Sequence, residues 1–524
     1  MSNPQHISVL ILGINPAAQA LAYLLAKQKI PLRIFSTPSE IPSSDQVLLH
    51  ARSFELLRLA DIAEAFEKIG QPIKRSLFFK SDGTETKEFG RSIHAVLESR
   101  YPYGRISPID EITQTFSDLL QQIGITPEQN ITLQDIQKTP DRINCRFKKD
   151  NIEEKLSCDY LIDCTVLQRD APAKLHVLDT LQKEKKYLQT ARLTLTQDSP
   201  RLDLDEALLL FTKNHQLAFY PQHEKEYYCI SQHDSEDKAA AFTQENLQKT
   251  LDQLTQAHAT PKLHLATISH HKSYIHENFL AEKFHSERIF LLGPAAHATP
   301  TPLLPDDINS DLGDAFNLAW KLTTTIQTKA PLSFLESYNT ERLHSYQQKL
   351  VTLRHLSPNA TPSDWFFNHS HNALAGFEQS YPLDELFAFE KPKQKPSHQI
   401  AGKRLPDLDL TQSDGSPCRL LDFIHSDHFT LFLFVNSIDT ADPHALPHAK
   451  EFADSLRQSF GKSLRIHYVL SAKTSRLLHE NGSEKNSADN FLIDRIGLTS
   501  DALALLKGGA CLVRPDGIIA LLYR

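Results

Sequence analysis

The sequence predicts an α/β protein: a strand–helix–strand domain that carries an inserted antiparallel sheet, followed by a second α/β module. Three observations carry this expectation. The stretch "ISVLILGINPAAQALAYLLAKQ" (7–28) runs as an apolar strand to Gly13 and then turns helical from Pro16. Residues 185–270 alternate apolar and polar in short runs such as "ARLTLT", "ALLLFTK" and "QLAFYPQ". Beyond the basic, Pro-containing stretch "EKPKQKPSHQIAGKRLPD", the strands "TLFLFV", "LRIHYVL" and "ACLVRPDGIIALLY" form a βαβ-like tail.

Taken in order, "ISVLIL", "PAAQALAYLLAKQ" and "PLRIFS" span about 30 residues, the size of one βαβ unit. Ala17, Leu21, Leu24 and Leu25 fall on one face of the helix. A second helix is expected in "HARSFELLRLADIAEAFEKIG". Strands follow in "KRSLFFKSDGTETKEFG", turned by "SDGT". The helix "DEITQTFSDLLQQIGI" leads to strands "ITLQDIQK", "INCRFKK" and "DYLIDC". After the alternating region comes a buried strand "RIFLLG" (288–293). Two helices close this part, the second half of "PAAHATPTPLLPDDINSDLGDAFNLAWKLTTTI" and "FLESYNTERLHSYQQKLVTLRHL".

Composition narrows the function class. The 524 residues are 40% hydrophobic and 23% charged, an ordinary globular balance with room for two to four domains. A net charge of -8 and a pI near 6.3 argue against nucleic acid as a partner and against an anionic membrane surface. No apolar run is long enough to span a bilayer, and "MSNPQHISVLILG" runs straight into a strand pattern without a signal-peptide n-region; a cytoplasmic protein is expected. The six cysteines form no C-x-x-C pair and read as reduced core residues. Only 17 glycines occur, about 3% against a usual level of about 7%.

"HARSFELLR" (50–58), "RIFLLGPAAHATP" (288–300), "INSDLGDAFNLAWKL" (308–322) and "SYNTERLHSYQQ" (337–348) stand in this order at family-like spacing. Together they resemble the FAD-dependent aromatic-ring monooxygenases of the phenol hydroxylase type. "HQIAGKRLPDLDLTQSDGSPCRLLDF" and "CLVRPDGIIALLYR" are similar to that family's thioredoxin-like C-terminal domain. The resemblance implies a Rossmann-like FAD-binding domain from residues 1–75, 105–180 and 270–355. It also implies a substrate-type β-sheet domain from 76–104 and 181–269, a helical or linker segment over 356–398, and a thioredoxin-like domain over 399–524. Family chemistry is reduction of FAD by NAD(P)H, then oxygen transfer to a phenolic ring through a flavin hydroperoxide. The protein supplies binding, orientation and electrostatics.

The cofactor positions depart from the family pattern one by one. The family's Gly-x-Gly-Pro-Ala-Gly reads Gly13-Ile14-Asn15-Pro16-Ala17-Ala18. Gly13 keeps the tight turn, Asn15 puts a side chain where backbone meets pyrophosphate, and Ala18 is a mild change. The acidic ribose ligand at the end of the second strand is Ser36 here. Asp163-Cys164-Thr165-Val166 replace Gly-Ala-Asp-Gly, and Gly293-Pro294-Ala295-Ala296-His297 replace Gly-Asp-Ala-Ala-His. Pro294 thereby removes both a carboxylate and an N–H. The flavin-facing Gly-Gly-x-Gly-x-Asn loop is Leu303-Leu304-Pro305-Asp306-Asp307-Ile308-Asn309, matching only at Asn309. Arg52 is kept, whereas the acidic residue near the hydroxylated carbon falls at about Val47, which cannot deprotonate a phenol.

Three lost polar holds, at 36, 163–166 and 294, weaken binding by about 4–5 kcal/mol, a factor on the order of 10³. FAD is therefore the cofactor the resemblance implies and the one the residues disfavour; NAD(P)H would act only on bound flavin. Three readings stay open: a diverged relative in a binding or interaction role, an active FAD- and NAD(P)H-dependent hydroxylase, or, third, a cofactor-independent enzyme using the old cavity. A small aromatic ligand and a homodimer are the partners the resemblance admits. No catalytic residue can be named. The histidine groups His270, His271 and His276, His369 and His371, and His425 and His428 lack a metal-site spacing. No G-x-S-x-G occurs, and the tail lacks C-x-x-C, so it is read as serving packing or dimerisation.

Overall fold

The computed structural model describes residues 5–36, 46–82, 85–93, 98–150, 152–165, 180–200, 203–212, 215–233, 235, 243–258, 261–298, 308–355, 376–377, 380–382, 400–435, 445–480 and 491–523. The chain divides into two compact units. The first comprises Met1–Phe54, Glu64–Val96 and Tyr101–Phe377; the second comprises Glu55–Ala63, Leu97–Arg100 and Glu378–Arg524.

In chain order the elements of residues 5–355 are β1 (Gln5–Leu12), α1 (Pro16–Lys27), β2 (Leu32–Phe35), β3 (Gln46–Leu49), α2 (Ala51–Leu59), α3 (Ala63–Glu67), β4 (Gln71–Ile73), β5 (Arg75–Ser81) and β6 (Thr86–Ile93). Next come β7 (Gly104–Pro108), α4 (Ile109–Gln122), β8 (Ile131–Lys138), β9 (Ile143–Lys149), β10 (Ile152–Asp163), β11 (Thr180–Leu195), β12 (Glu206–Thr212), β13 (His215–His223) and β14 (Glu226–His233). The last are α5 (Gln244–Ala257), β15 (Leu265–Ala281), β16 (His285–Ser286), β17 (Ile289–Leu291), β18 (His297–Ala298), α6 (Ile308–Thr328) and α7 (Ser333–His355).

The first sheet has the order β16-β17-β10-β1-β2, with the β8–β9 hairpin joined to β10. β2, β1, β10 and β17 are parallel. Strands covered on both faces read as continuous apolar runs, which is why Val9 to Leu12 are all buried. Register pairs Leu12 with Phe35 and with Asp163, and Asp163 with Leu291. The carboxyl ends of four strands therefore come level, and the loops after them gather at one edge, where open α/β sheets bind ligands.

Helix α1 was expected to bury one face; Pro16 to Leu25 are buried all round. The reason is that α4 and α6 pack beside it. Even Gln19 is enclosed, donating from Nε2 to Ser117 Oγ at 2.7 Å. The expected strand 288–293 is shorter, Ile289–Leu291, because a 3-10 turn takes over at Gly293–Ala295. Proline at that turn fixes φ and offers no N–H to a ladder.

The second sheet has the order β18-β15-β11-β14-β13-β12-β5-β6 and is antiparallel except where β12 meets β5. Alternation gives it two apolar faces. One, with Phe79, Leu193, Leu210, Phe219 and Cys229, packs on Leu247, Leu251 and Leu254 of α5. The other, with Phe78, Leu188, Phe211, Tyr220 and Tyr228, packs on Ile73 and Ile106 of the small sheet β3-β7-β4. His270 and His271 are exposed on β15, as solvated strand residues would be. His369 and His371 lie outside the described residues.

The second unit holds the thioredoxin-like fold. Its seven-stranded sheet contains β19 (Asp409–Gln412), β20 (Pro417–Arg419), β21 (Phe429–Val435), β22 (Leu464–Ser471), β23 (Leu492–Asp494), β24 (Gly509–Val513) and β25 (Ile519–Tyr523). The order is β20-β19-β23-β22-β21-β24-β25, with β21–β22–β23 parallel and β24 and β25 antiparallel. Within this unit, residues 55–63 and 97–100 are tied to the later chain. Ser426 N donates to Leu59 O at 2.8 Å, Arg404 Nε pairs with Glu55 at 3.5 Å, and Arg100 Nε pairs with Asp407 at 3.4 Å. All six cysteines of the chain are buried. No helix among the described residues is long and apolar enough to cross a membrane.

Candidate functional site

The site is built where β1, β2, β10 and β17 end. Gly13 adopts φ +106°, a left-handed conformation that favours glycine, and its N–H donates to Phe35 O at 2.8 Å. This turns the chain into α1. Asn15 does not use the positive φ that asparagine tolerates; it is extended, at φ -66° and ψ 168°. It is the N-cap of α1. Its Oδ1 accepts from Ala18 N at 3.1 Å, and its Nδ2 donates to Cys164 O at 2.6 Å. The carboxamide thus takes the position at the helix N-terminus where an anion would accept from backbone N–H groups.

Ala17 and Ala18 are fully buried. A Cβ built on Gly293 (φ +59°) would lie 3.0 Å from Ala17 Cβ and 3.2 Å from the Asp311 carboxyl carbon. The 3-10 turn carrying Pro294 therefore sits close against the start of both α1 and α6. Ser36, half-buried, is held through its backbone, donating from N to Glu128 O at 2.8 Å. Glu128 bridges Arg33 at 2.5 Å and Lys149 at 2.8 Å; the Arg33 hydrogen bond is the chief reason its carboxyl titrates below the usual range.

Asp163 is buried, and its Oδ1 accepts from Thr165 N at 2.9 Å and Thr165 Oγ1 at 2.6 Å. Burial pushes its carboxyl up, and the two Thr165 bonds offset part of that. Val166 and Leu303 to Asp307 lie outside the described residues. Asn309 is engaged on both ends of its amide. Oδ1 accepts from His50 N at 2.8 Å and Ser53 Oγ at 2.7 Å, and Nδ2 donates to Leu48 O at 2.8 Å. It fastens the start of α6 to β3 and α2. Arg52 is buried at the start of α2, where a Cβ on Gly376 would meet its Cβ at 3.2 Å. Val47 is buried in β3.

The strands and turns bring Gly13, Asn15, Ala17, Ala18, Gly293 and Pro294 together, while Asn309 and Arg52 stand at the junction of α6, β3 and α2. Two features were missed by sequence reasoning. Asp311 lies in the first turn of α6, so that N-terminus also carries its own acidic group. Asp314 is wholly buried and joins three segments: Oδ2 accepts from Gly293 N at 3.1 Å and contacts His297 Nε2 at 2.8 Å, and Oδ1 accepts from Arg342 Nε at 2.6 Å. Burial pushes the Asp314 carboxyl up, but Arg342 and His297 outweigh it and hold it below the usual carboxylate range. A signal for this network was available: Asp314 interrupts the buried, apolar "LGDAFNLAW" helix and needs a cationic partner.

The FAD binding domain family matches residues 6–352. The chain belongs to this family, that of the FAD-dependent aromatic hydroxylases. Among curated relatives, a phenol 2-monooxygenase of Aspergillus fumigatus is 31% identical over 226 residues, 40% of this chain and 37% of the relative. An uncharacterised aromatic compound monooxygenase of Bacillus subtilis is 29% identical over 208 residues, 36% of this chain and 39% of the relative. The matched stretch thus spans under two-fifths of each relative's length. Two solved structures share the fold across the whole chain: an aklavinone-11 hydroxylase with FAD and aklavinone (TM-score 0.71, 16% identity, 100% of this chain and 96% of that one), and the monooxygenase PieE with FAD and substrate (0.69, 18%, 100% and 97%). Among the described residues no group of three or more His, Cys, Asp or Glu side chains could hold a metal ion.

Proposed function

We propose that this chain is a hydroxylase scaffold with weak or absent FAD binding, serving as a non-catalytic binding or interaction protein. The observation that carries the reading is the Asn15 carboxamide, which caps α1 and reaches Cys164 O. A pyrophosphate at that N-terminus would have to displace it. Asp311 at the start of α6 adds a like charge next to an anionic ligand, and neither Ser36 nor Pro294 supplies the carboxylate of the family pattern. The residues present do not fit the dinucleotide at these points.

The test is purification of the full chain, its visible absorption spectrum, and a titration with FAD followed by quenching of flavin fluorescence. Colourless folded protein that ignores FAD to about 100 μM fits this reading, since that affinity is about 5–6 kcal/mol. Stoichiometric flavin or submicromolar affinity refutes it. The second reading, an active FAD- and NAD(P)H-dependent hydroxylase of a phenolic or other aromatic substrate, is favoured by Gly13, which keeps the φ +106° turn. It requires NAD(P)H oxidation stimulated by a phenol.

A further inference from the structure

The turn that leads into β21 carries two histidines, each with a carboxylate at its back. His425 Nδ1 stands 3.4 Å from Asp61 Oδ2, and Arg58 Nη1 holds the other oxygen, Oδ1, at 2.9 Å. His428 Nδ1 is bonded to Asp427 Oδ1. The turn itself is pinned. Ser426 N donates to Leu59 O at 2.8 Å, Ile424 N to Leu421 O at 3.3 Å, and Thr430 Oγ1 to Phe423 O at 3.1 Å. Asp61, Leu59 and the turn belong to the same compact unit.

Each imidazole therefore has Nε2 left. Neither Nε2 has a hydrogen-bond partner among the described residues, and neither belongs to the buried polar atoms that lack one, so both are open to water. Metal-binding histidines are arranged in this way, since a carboxylate on the second ring nitrogen fixes the tautomer and raises the basicity of the first. Two imidazoles that share one tetrahedral zinc, with Zn–N at about 2.0–2.1 Å, have ring centres roughly 5–5.5 Å apart. The rings of His425 and His428 stand 5.5 Å apart, centre to centre, inclined by 35°. The spacing H-x-x-H does not reveal such a pair, because Asp61 arrives from a distant part of the chain.

We infer that His425 and His428 form a site for one divalent transition-metal ion of the zinc type, bound through both Nε2 atoms and completed by water. No third His, Cys, Asp or Glu side chain among the described residues completes the set, so the site is open and exchangeable and not a closed structural centre. Imidazole and water suit Zn²⁺ and Cu²⁺, whereas Mg²⁺ and Ca²⁺ take oxygen ligands. Because Asp61 backs His425, the ion also strengthens the hold of the tail on residues 55–63 within the second unit. The site uses none of the residues weighed for the dinucleotide and stands whether or not flavin binds.

The experiment strips the full chain of metal with a chelator and titrates it with Zn²⁺ by calorimetry, with Mg²⁺ as control and Cu²⁺ at one equivalent read by EPR. Zn²⁺ is expected to bind with a Kd of about 100 μM or tighter. His425→Gln and His428→Gln should each weaken it by about tenfold or more and remove one nitrogen from the Cu²⁺ spectrum, and Asp427→Asn should weaken it by about tenfold. The difference between parent and variants separates this site from the other histidines of the chain. Saturating Zn²⁺ should raise the unfolding midpoint of the parent more than that of His425→Gln. His425 is half-buried and Asp427 exposed, so their variants carry the test if His428→Gln does not fold. Absence of Zn²⁺ binding up to about 1 mM, equal binding of Mg²⁺, or affinity unchanged in both His425→Gln and Asp427→Asn overturns the proposal.

Discussion

Replacing Asn15 with alanine removes two hydrogen bonds, the cap on Ala18 N at 3.1 Å and the bond to Cys164 O at 2.6 Å. Loss of an N-cap costs about 1 kcal/mol, and a second, part-buried hydrogen bond adds a net of about 1 kcal/mol. Asn15→Ala should therefore destabilise the first unit by about 2 kcal/mol. Asn15→Asp keeps the capping acceptor and loses the donor to Cys164, and the helix dipole returns about 0.3–1 kcal/mol. The expected order is Asn above Asp above Ala. Trp320, buried in α6 against which α1 packs, reports urea unfolding of this region when Trp365 is replaced by phenylalanine. The slope with urea should stay constant while the midpoint moves. An alanine variant within about 0.5 kcal/mol of the parent, or above the aspartate variant, would refute the capping argument and return the α1 N-terminus to an incoming anion.

Further outcomes follow from other contacts. Asn15→Gly, which vacates the N-terminus while costing only a few tenths of a kcal/mol as a cap, should bind FAD more tightly than the parent in fluorescence titration. Arg342→Met strands the buried Asp314 carboxylate and should cost about 3–5 kcal/mol at pH 7 by urea unfolding. In the parent the Asp314 pKa is depressed, so its contribution is present above the usual carboxylate range and is lost as pH falls through the depressed value. In Arg342→Met the carboxyl should titrate above that range, so the gap between the two proteins should narrow from pH 7 to pH 5. Gly313→Ala would put a Cβ 2.8 Å from the same guanidinium and should destabilise by about 1–3 kcal/mol, measured the same way.

Much of the scaffold was legible before any coordinates. "ITLQDIQK" and "INCRFKK" become β8 and β9 over the very residues expected, because each alternates and is bounded by turn residues. Local periodicity identifies a strand but not its neighbours. The capping half of Asn15's role follows from position, Asn before a proline that opens a helix; its bond to Cys164, 149 residues away, does not. The amphipathic reading of α1 failed for the same reason, since only the packing of α4 and α6 decides that the far face is buried. The closeness of Asp311 to the turn at Gly293 needed tertiary placement. A polar residue in a strand looks solvent-facing until its row across the sheet is known.

The membership of residues 55–63 and 97–100 in the second unit has a consequence for synthesis. Leu59, Glu55 and Arg100 leave the ribosome more than 300 residues before their partners Ser426, Arg404 and Asp407. A nascent chain must carry these groups unsealed for most of its translation, at a stage when exposed apolar surface invites association. A stop codon near residue 378 would make that condition permanent, leaving Glu55 without Arg404 and the end of α2 without cover. Early termination should then harm the N-terminal half, so the tail acts as the last fastening of helix α2 as well as a module of its own.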